Sequence, residues 1–574
     1  MSPVHVVVAG HGMVGARFAE EVRRHDPEGR RVRLTILAAE PRPAYNRVLL
    51  PNLLSGVMKE EDFAARVVVG LPVVTGQEIS SIPNGSVLHP DAPMTLRVGT
   101  TVIGIDAVGK TVLARRAAAG PAIPSTRDRA RAGASAGTAA RAGAGSRAGV
   151  ADETAVVERI GYDVLVLATG ARAVVPPLSG LLTGHPAGTG NGAVGREARC
   201  RSDDCLSSDV AALHSLADAR RIAAFAQAAR RTGGRVAILG GGVLGLEAAR
   251  ALAARGTAVT VVHRGGHLMD RQLDTAAGRV LAAAMRRTGV GVSLGAGAAR
   301  WEPGRGLWLT DGQLVKASGL VLCTGTVPCT GLARDAGLRL TDSGAVAVDD
   351  TLAASAPAIY AIGDCAGHPG AAGGLVQPGW EQAAVLASRL TGISPKARYR
   401  GSGAVTRLKA AGIELTAVGG ALTEPGLDGD LEVLRFEDPA RERYAKLVLS
   451  ADRVVGAILI GLPDAAASVV QLYDRDAAAP KDRLALLLGR ALPPESGGGS
   501  GPAALPDYAV VCRCNMVTKG QLRDAWYGGA CGRAALSAAT RAATGCGTCG
   551  DDLETIAAWL AETDQNQEKE PALR

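Results

Sequence analysis

Four cysteines near the end of the chain carry its most legible chemistry. Cys512 and Cys514 stand one residue apart in "VCRCNMVTKG", Cys546 and Cys549 two apart in "GCGTCG", and 31 residues separate the pairs. Two short loops would supply four thiolates, a set that suits zinc or a 2Fe–2S cluster equally well by ligand count. What the earlier residues do decides between them. A zinc knuckle has no chemical part in an electron-handling protein, whereas a cluster beside a redox cofactor completes a circuit.

Phosphate binding is the second chemistry. In "VHVVVAGHGMVGARFAEEV" an apolar run leads into Gly10, Gly12 and Gly15, then into a helical pattern. In "RVAILGGGVLGLEAARALAARGTAVTVVHR" another run leads into Gly240, Gly242 and Gly245, with a helix from about Val243. Glycine lets the backbone turn tightly and approach a pyrophosphate, and the helix N-terminus adds free N–H groups and partial positive charge. One such motif is weak evidence; two in strand–turn–helix–strand context predict two nucleotide sites. The strand after the first motif ends at Glu40, placed to accept from a ribose hydroxyl. The strand after the second ends in His263-Arg264, which could receive a 2′-phosphate or simply face solvent, so NADH and NADPH both stay open. Three more apolar runs end in small-residue turns: Ala168-Thr169-Gly170, Cys323-Thr324-Gly325 and Gly363-Asp364.

The elements that position these residues follow from size and composition. A chain of 574 residues is too long for one core. Only 3% of its residues are aromatic, while 75 are glycine, which suits closely packed α/β layers. The net charge of +8 comes from scattered arginines with no basic, aromatic-studded face, arguing against nucleic acid. No segment approaches eighteen uninterrupted apolar residues, and "VHVVVAG" is too short for a secretory leader, so a cytoplasmic protein without a membrane span is expected. Ten cysteines then point to metal or redox work instead of a disulfide framework. Residues 116–152 and 180–208 read as disordered insertions, 491–506 as a Pro/Gly/Ser linker that lets the last domain move, and 563–574 as a solvated tail.

The order GxGxxG, ATG, GxGxxG, CTG, GD resembles the two-dinucleotide-binding-domain flavoproteins over about residues 1–395. That resemblance implies an α/β fold: an FAD domain (1–232 and 346–395) with an inserted NAD(P) domain (233–345). It implies FAD contacts at Gly10, Gly12, Gly15, Glu40, Thr169, Gly170, Gly363 and Asp364. NAD(P)H contacts would be Gly240, Gly242, Gly245, Glu247 and Gly325, with His263 and Arg264 at the ribose end. Residues 507–562, with a Thr518-led helix and glycines around the second cysteine pair, resemble the small, helical bacterioferritin-associated-ferredoxin-like domain, implying a 2Fe–2S cluster on Cys512, Cys514, Cys546 and Cys549. Cys531 is read as structural.

Redox alternatives within the chain are poor. Cys200-x4-Cys205 lies in an irregular stretch, Cys365 reads as packed beneath the cofactor, and Cys323-x5-Cys329 lacks the second half of a sirohaem ligand set. "PAYNRVLLPNLLSG" (43–56) and "HLMDRQLD" (267–274) resemble segments of the family comprising NAD(P)H nitrite reductase large subunits and assimilatory nitrate reductase electron-transfer subunits. By that resemblance Arg47 lies near the flavin, and 396–490 is the small β-rich reductase domain; Pro51-Asn52 replaces the Ser-Lys of some relatives, so no flavin-side lysine is assigned. The chain stops where the nitrite reductase subunit continues into a sirohaem module. The expectation is therefore an FAD/2Fe–2S oxidoreductase carrying electrons from NAD(P)H to a separate molybdenum nitrate reductase or sirohaem nitrite reductase. A ferredoxin- or rubredoxin-type reductase, or an iron-sensing docking module, is the alternative. Final acceptor and oligomeric state stay open.

Overall fold

The computed structural model describes residues 2–59, 93–116, 156–183, 205–371, 373–410, 412–424, 430–489, 502–512, 515, 517–543 and 549–569. Two parallel sheets of five strands form its centre. The first runs Ile359–Ala361, Val164–Leu167, Val4–Ala9, Val32–Ala38, Met94–Val98. The second runs Val290–Leu294, Ala258–His263, Arg235–Leu239, Gly319–Leu322, Val210–Ala212. Parallel sheets are covered on both faces, and so their central strands read as unbroken apolar runs such as "VVVA" and "VAIL", fully buried here.

The chain crosses between the two sheets earlier than the resemblance implies, in both directions. Val210–Ala212 already pairs with Gly319–Leu322, and the helix Leu216–Thr232 packs on that sheet, so the second unit begins before residue 233. On the return, Ala333 and Leu338 sit in the first unit's core, ahead of the expected crossing at 345. Each crossing is one edge of a two-stranded antiparallel ribbon, Ala171–Ala173 against Thr326–Pro328. The expected insertion at 180–208 is ordered at both ends. Leu181 and Leu206 are buried and Leu182 bridges Leu206, because these leucines fill a core pocket beside Trp301. Residues 184–204, and 117–152 of the other expected insertion, lie outside the described residues.

A third, antiparallel sheet follows, in the order Val405–Ala410, Ile413–Gly419, Arg453–Ile460, Arg443–Ser450, Leu431–Asp438. One face carries the helix Pro463–Arg475. The other joins a continuous apolar cluster with the helices Val243–Ala254 and Thr275–Arg287 of the second unit and Leu50–Ser55 of the first. The "PAYNRVLLPNLLSG" segment thus packs the first unit against the second.

The last unit is three helices, Lys519–Tyr527, Arg533–Thr540 and Gly550–Lys569, beside two short paired strands. Thr518 caps the first helix and Gln521 closes the capping box, as its T-x-x-Q spacing predicts. Two expectations are corrected here. Helix Gly550–Lys569 runs through most of the expected tail, and Asp564 accepts a hydrogen bond from the Trp526 indole. Residues 502–506, expected as linker, pack on this unit, with Lys519 donating to the Leu505 carbonyl at 2.6 Å. The linker's remainder, 491–501, lies outside the described residues.

Candidate functional site

Both glycine turns take the same geometry. A Cβ on Gly10 would stand 2.2 Å from the Ala168 carbonyl oxygen, and one on Gly15 2.3 Å from the Gly10 carbonyl. In the second turn a Cβ on Gly240 would meet the Cys323 carbonyl at 2.1 Å, and one on Gly245 the Gly240 carbonyl at 2.0 Å. Gly10 and Gly240 also hold φ of +115° and +119°, where side chains are strained. These four glycines are therefore required by backbone packing. Gly12 and Gly242 differ: a Cβ there would touch nothing within 4 Å, and each caps a helix N-terminus, at Met13 and Val243. That open space is where an extended phosphate could lie against free N–H groups. The residues present fit two dinucleotides.

The turns open into one continuous cavity of about 3190 Å³, several times the roughly 300–1,000 Å³ of an ordinary ligand pocket. Glu40 and Arg47 line it on the first unit's side and hydrogen-bond each other. The other side of the Arg47 guanidinium meets His214 Nε2 at 2.8 Å. A guanidinium can only donate, so His214 accepts at Nε2 and its proton resides on Nδ1. Burial, with the Arg47 charge adding to it, holds His214 down at about 4 and so uncharged. Sequence reading missed His214; the capping box of Ser215 and Asp218 beside it is the only local mark of its place. Asp364 also lines the cavity, and protein crowding around it pushes its carboxyl up, tempered by the Gly374 N–H and the Arg47 charge. Gly363 adopts φ +76° and donates to Gln382 at 2.7 Å, fixing that turn.

Thr169 and Thr324 act as a reciprocal pair across the ribbon. Thr169 Oγ1 donates to the Cys329 carbonyl at 2.7 Å and Thr324 Oγ1 to the Val174 carbonyl at 2.6 Å. The threonines of the two small-residue turns thus tie each unit to the other's crossing strand. Gly170 and Gly325 follow them at positive φ and line the cavity.

At the second unit's ribose end the expected cationic pair divides. His263 turns inward: its Nδ1 accepts from the Gly241 N–H at 3.3 Å and its Nε2 lies 3.3 Å from Asp270. It supports the glycine turn. Arg264 stays exposed on the cavity wall, joined there by Arg271, which sequence reading missed. Glu247 is buried on the helix beneath the turn and borders the cavity. The "HLMDRQLD" segment wraps this turn, Met269 donating to the Gly241 carbonyl at 2.9 Å, and ends at Asp274, which caps the next helix.

Of the four late cysteines, Cys512 and Cys549 are buried together in the last unit's core and border the same cavity. Asn515 Nδ2 lies 3.8 Å from Cys512 Sγ, a sulfur-directed N–H in the loop that would carry Cys514. Cys514 and Cys546 lie outside the described residues, among which no group of three or more His, Cys, Asp or Glu converges for a metal. Cys531 is exposed in the turn between two helices. Burial holds the thiols near the glycine turns toward their protonated form. Burial pushes Cys323 up to about 12, and Cys365 is fully buried and raised, its Sγ against the Leu167 and Ile362 carbonyls. Cys200 lies outside the described residues.

Comparison with known proteins gives three family matches in chain order. They are pyridine nucleotide-disulphide oxidoreductase over residues 4–385, rubredoxin NAD+ reductase C-terminal domain over 405–469, and BFD-like [2Fe-2S] binding domain over 510–559. Among curated relatives, the nitrite reductase [NAD(P)H] large subunit of Klebsiella oxytoca is 30% identical over 95% of this chain and 48% of its own length. The assimilatory nitrate reductase electron transfer subunit of Bacillus subtilis is 27% identical over 98% of this chain and 61% of its own. The chain therefore spans about half to three-fifths of these relatives. Among solved structures, the NADH:rubredoxin oxidoreductase of Clostridium acetobutylicum shares the fold at TM-score 0.56 and 18% identity, covering 86% of this chain and all of that one. A match running from residue 4 to residue 385, across both glycine turns and the sheets that present them, makes this chain a member of the pyridine nucleotide-disulphide oxidoreductase family.

Proposed function

We propose that this oxidoreductase takes electrons from NAD(P)H and delivers them to a separate catalytic protein of nitrate or nitrite assimilation, a molybdenum nitrate reductase or a sirohaem nitrite reductase. Relatives named for those systems align along nearly its whole length. One observation carries the reading: a single cavity is bordered by both glycine turns and by Cys512 and Cys549. FAD supplies two-electron chemistry with the nicotinamide and a 2Fe–2S centre carries single electrons, so the pair would convert one currency into the other.

The chain's own residues bind, orient and shield. Gly10, Gly12 and Gly15 would hold the FAD pyrophosphate, with Glu40 at its ribose and Asp364 at the ribitol. Arg47 reaches the same wall with its guanidinium fixed by Glu40 and His214. Gly240, Gly242 and Gly245 would hold the nicotinamide nucleotide, with Arg264 and Arg271 at the adenosine ribose. Cys512 and Cys549 supply two thiolates, and Cys514 and Cys546, by spacing, the other two. No helix among the described residues is long and apolar enough to cross a membrane, which is compatible with work in the cytoplasm. The match to a rubredoxin reductase domain over 405–469 favours one second reading, reduction of a small carrier protein.

Anaerobic titration of purified protein with NADPH and NADH in turn, followed by visible absorption and low-temperature EPR, tests the proposal. Flavin bleaching and a rhombic 2Fe–2S signal are expected. Colourless protein, or metal analysis returning zinc without iron, defeats it.

A further inference from the structure

The last unit is seated on the body through charged side chains. Arg541, in the left-handed position that ends the helix Arg533–Thr540, hydrogen-bonds Glu20 on the helix Met13–His25, the helix that the first glycine turn opens. Both partners are partly exposed, at 30% and 22% of their side-chain surface, so water and salt reach the pair. The Arg541 carbonyl accepts from Asn515 Nδ2 at 2.6 Å, and that same nitrogen neighbours Cys512 Sγ. The residue that grips the body is thus bonded to the loop that holds the first thiol pair.

A second electrostatic influence has the opposite polarity. Burial and the neighbouring Asp551 raise the carboxyl of Asp552, in the first turn of the helix Gly550–Lys569, while the charge of Arg407 on the strand Val405–Ala410 acts against them, and both border the cavity with Cys512 and Cys549. The Arg407 Nε is buried without a hydrogen-bond partner among the described residues, so its charge is not absorbed locally at that atom. Beside the thiols, Tyr508 and Val510 stand exposed as an apolar centre.

We infer that this face of residues 502–569 is a docking surface used twice. It binds the chain's own body through Arg541–Glu20, and then a protein acceptor that presents a carboxylate opposite Arg541. The inference rests on the proposed electron-delivery role for its second half, while the self-docking half stands on the contacts alone. Because Cys512 and Cys549 border the cavity shared with the body, an acceptor docking on that edge displaces the body, and the two dockings compete.

Charge exchange in the full chain tests it, with small-angle scattering as a readout that needs no cofactor. Arg541→Glu is expected to enlarge the molecule at low ionic strength and make its dimensions insensitive to salt, whereas wild type expands between 0.05 and 1 M salt as screening shortens from about 14 to about 3 Å. The double variant Glu20→Arg/Arg541→Glu is expected to restore the compact form, which a merely misfolded protein would not do. In protein holding flavin and iron, Arg541→Glu should slow NADPH-driven bleaching of the cluster about two- to fivefold, the range for a partly exposed pair, without slowing flavin bleaching. Dimensions unchanged in Arg541→Glu, or no recovery in the double variant, overturn self-docking. If the dimensions respond as expected but the protein holds no iron, the electron-delivery reading fails and the docking contact survives.

Discussion

Of the four histidines among the described residues that burial holds below the free value, His11 and His214 are shifted furthest. His11, within the first glycine turn, is 8% exposed, accepts from the Ala44 N–H at 3.2 Å, and is held by burial at about 4. His214 is likewise held at about 4 while it accepts from Arg47. Each folded value lies below the free value of 6.5, so between about pH 6.5 and 4 the unfolded chain binds more protons and stability falls as pH falls. A difference of one pKa unit is worth about 1.4 kcal/mol, so each imidazole accounts for at most about 3 kcal/mol by pH 4. The melting temperature should therefore drop through this window, before the ordinary carboxylates titrate. His214→Leu should flatten the drop and also release Arg47 from one of its two anchors. A melting temperature level from pH 6.5 to 4.5 in wild type would remove both histidines from this account.

At the scale of elements, the two glycine turns separate by what each glycine does. Gly245→Ala drives a methyl into the Gly240 carbonyl, so the helix Val243–Ala254 must move off its sheet. Gly242→Ala meets no protein atom, and only a bound phosphate would feel it. Gly245→Ala should therefore lower stability and NADPH affinity together, while Gly242→Ala weakens NADPH binding at near-wild-type melting temperature. Equal effects of the two on stability, measured with calorimetric NADPH binding, would contradict this division. These turns were legible in the sequence because a strand, three glycines and a helix lie within twenty residues of one another. The crossings were not. Val210–Ala212 joins the second sheet by pairing with Gly319–Leu322, more than a hundred residues on, and no local pattern encodes that. The contact between Arg47 and His214 spans 167 positions and was invisible for the same reason. The helix through Lys569 was missed because "DQNQEKE" is polar on every face and its support, Asp564 on Trp526, is tertiary.

The whole molecule depends on the second unit and the antiparallel sheet sharing one core. Tyr444 and Lys446, two apart on the strand Arg443–Ser450, point the same way and are almost fully buried. Tyr444 donates to Asp274 at 2.6 Å, and Lys446 reaches Glu424 at 2.8 Å and Asp274 at 3.9 Å. Asp274 meanwhile caps the helix Thr275–Arg287 by accepting from the Ala277 N–H. One carboxylate thus closes the "HLMDRQLD" wrap around the NAD(P) turn, starts a helix and receives two groups from the neighbouring sheet. Burial and the Asp274 charge push the Tyr444 phenol well above its ordinary range, so it remains a donor at any working pH. Tyr444→Phe leaves Asp274 short of a buried donor and should cost about 1.5–3 kcal/mol, the range for a hydrogen bond to a charged group. Lys446→Met removes the neighbouring cation from the same carboxylate, so the two substitutions share a partner and should combine non-additively. Because the carboxylate also anchors the wrap over Gly241, weaker NADPH binding should accompany the loss of stability in Tyr444→Phe. A double-mutant cycle on the first thermal transition, with NADPH affinity measured on each variant, checks this. Strict additivity with unchanged affinity would mean that the sheet and the nucleotide unit are merely adjacent.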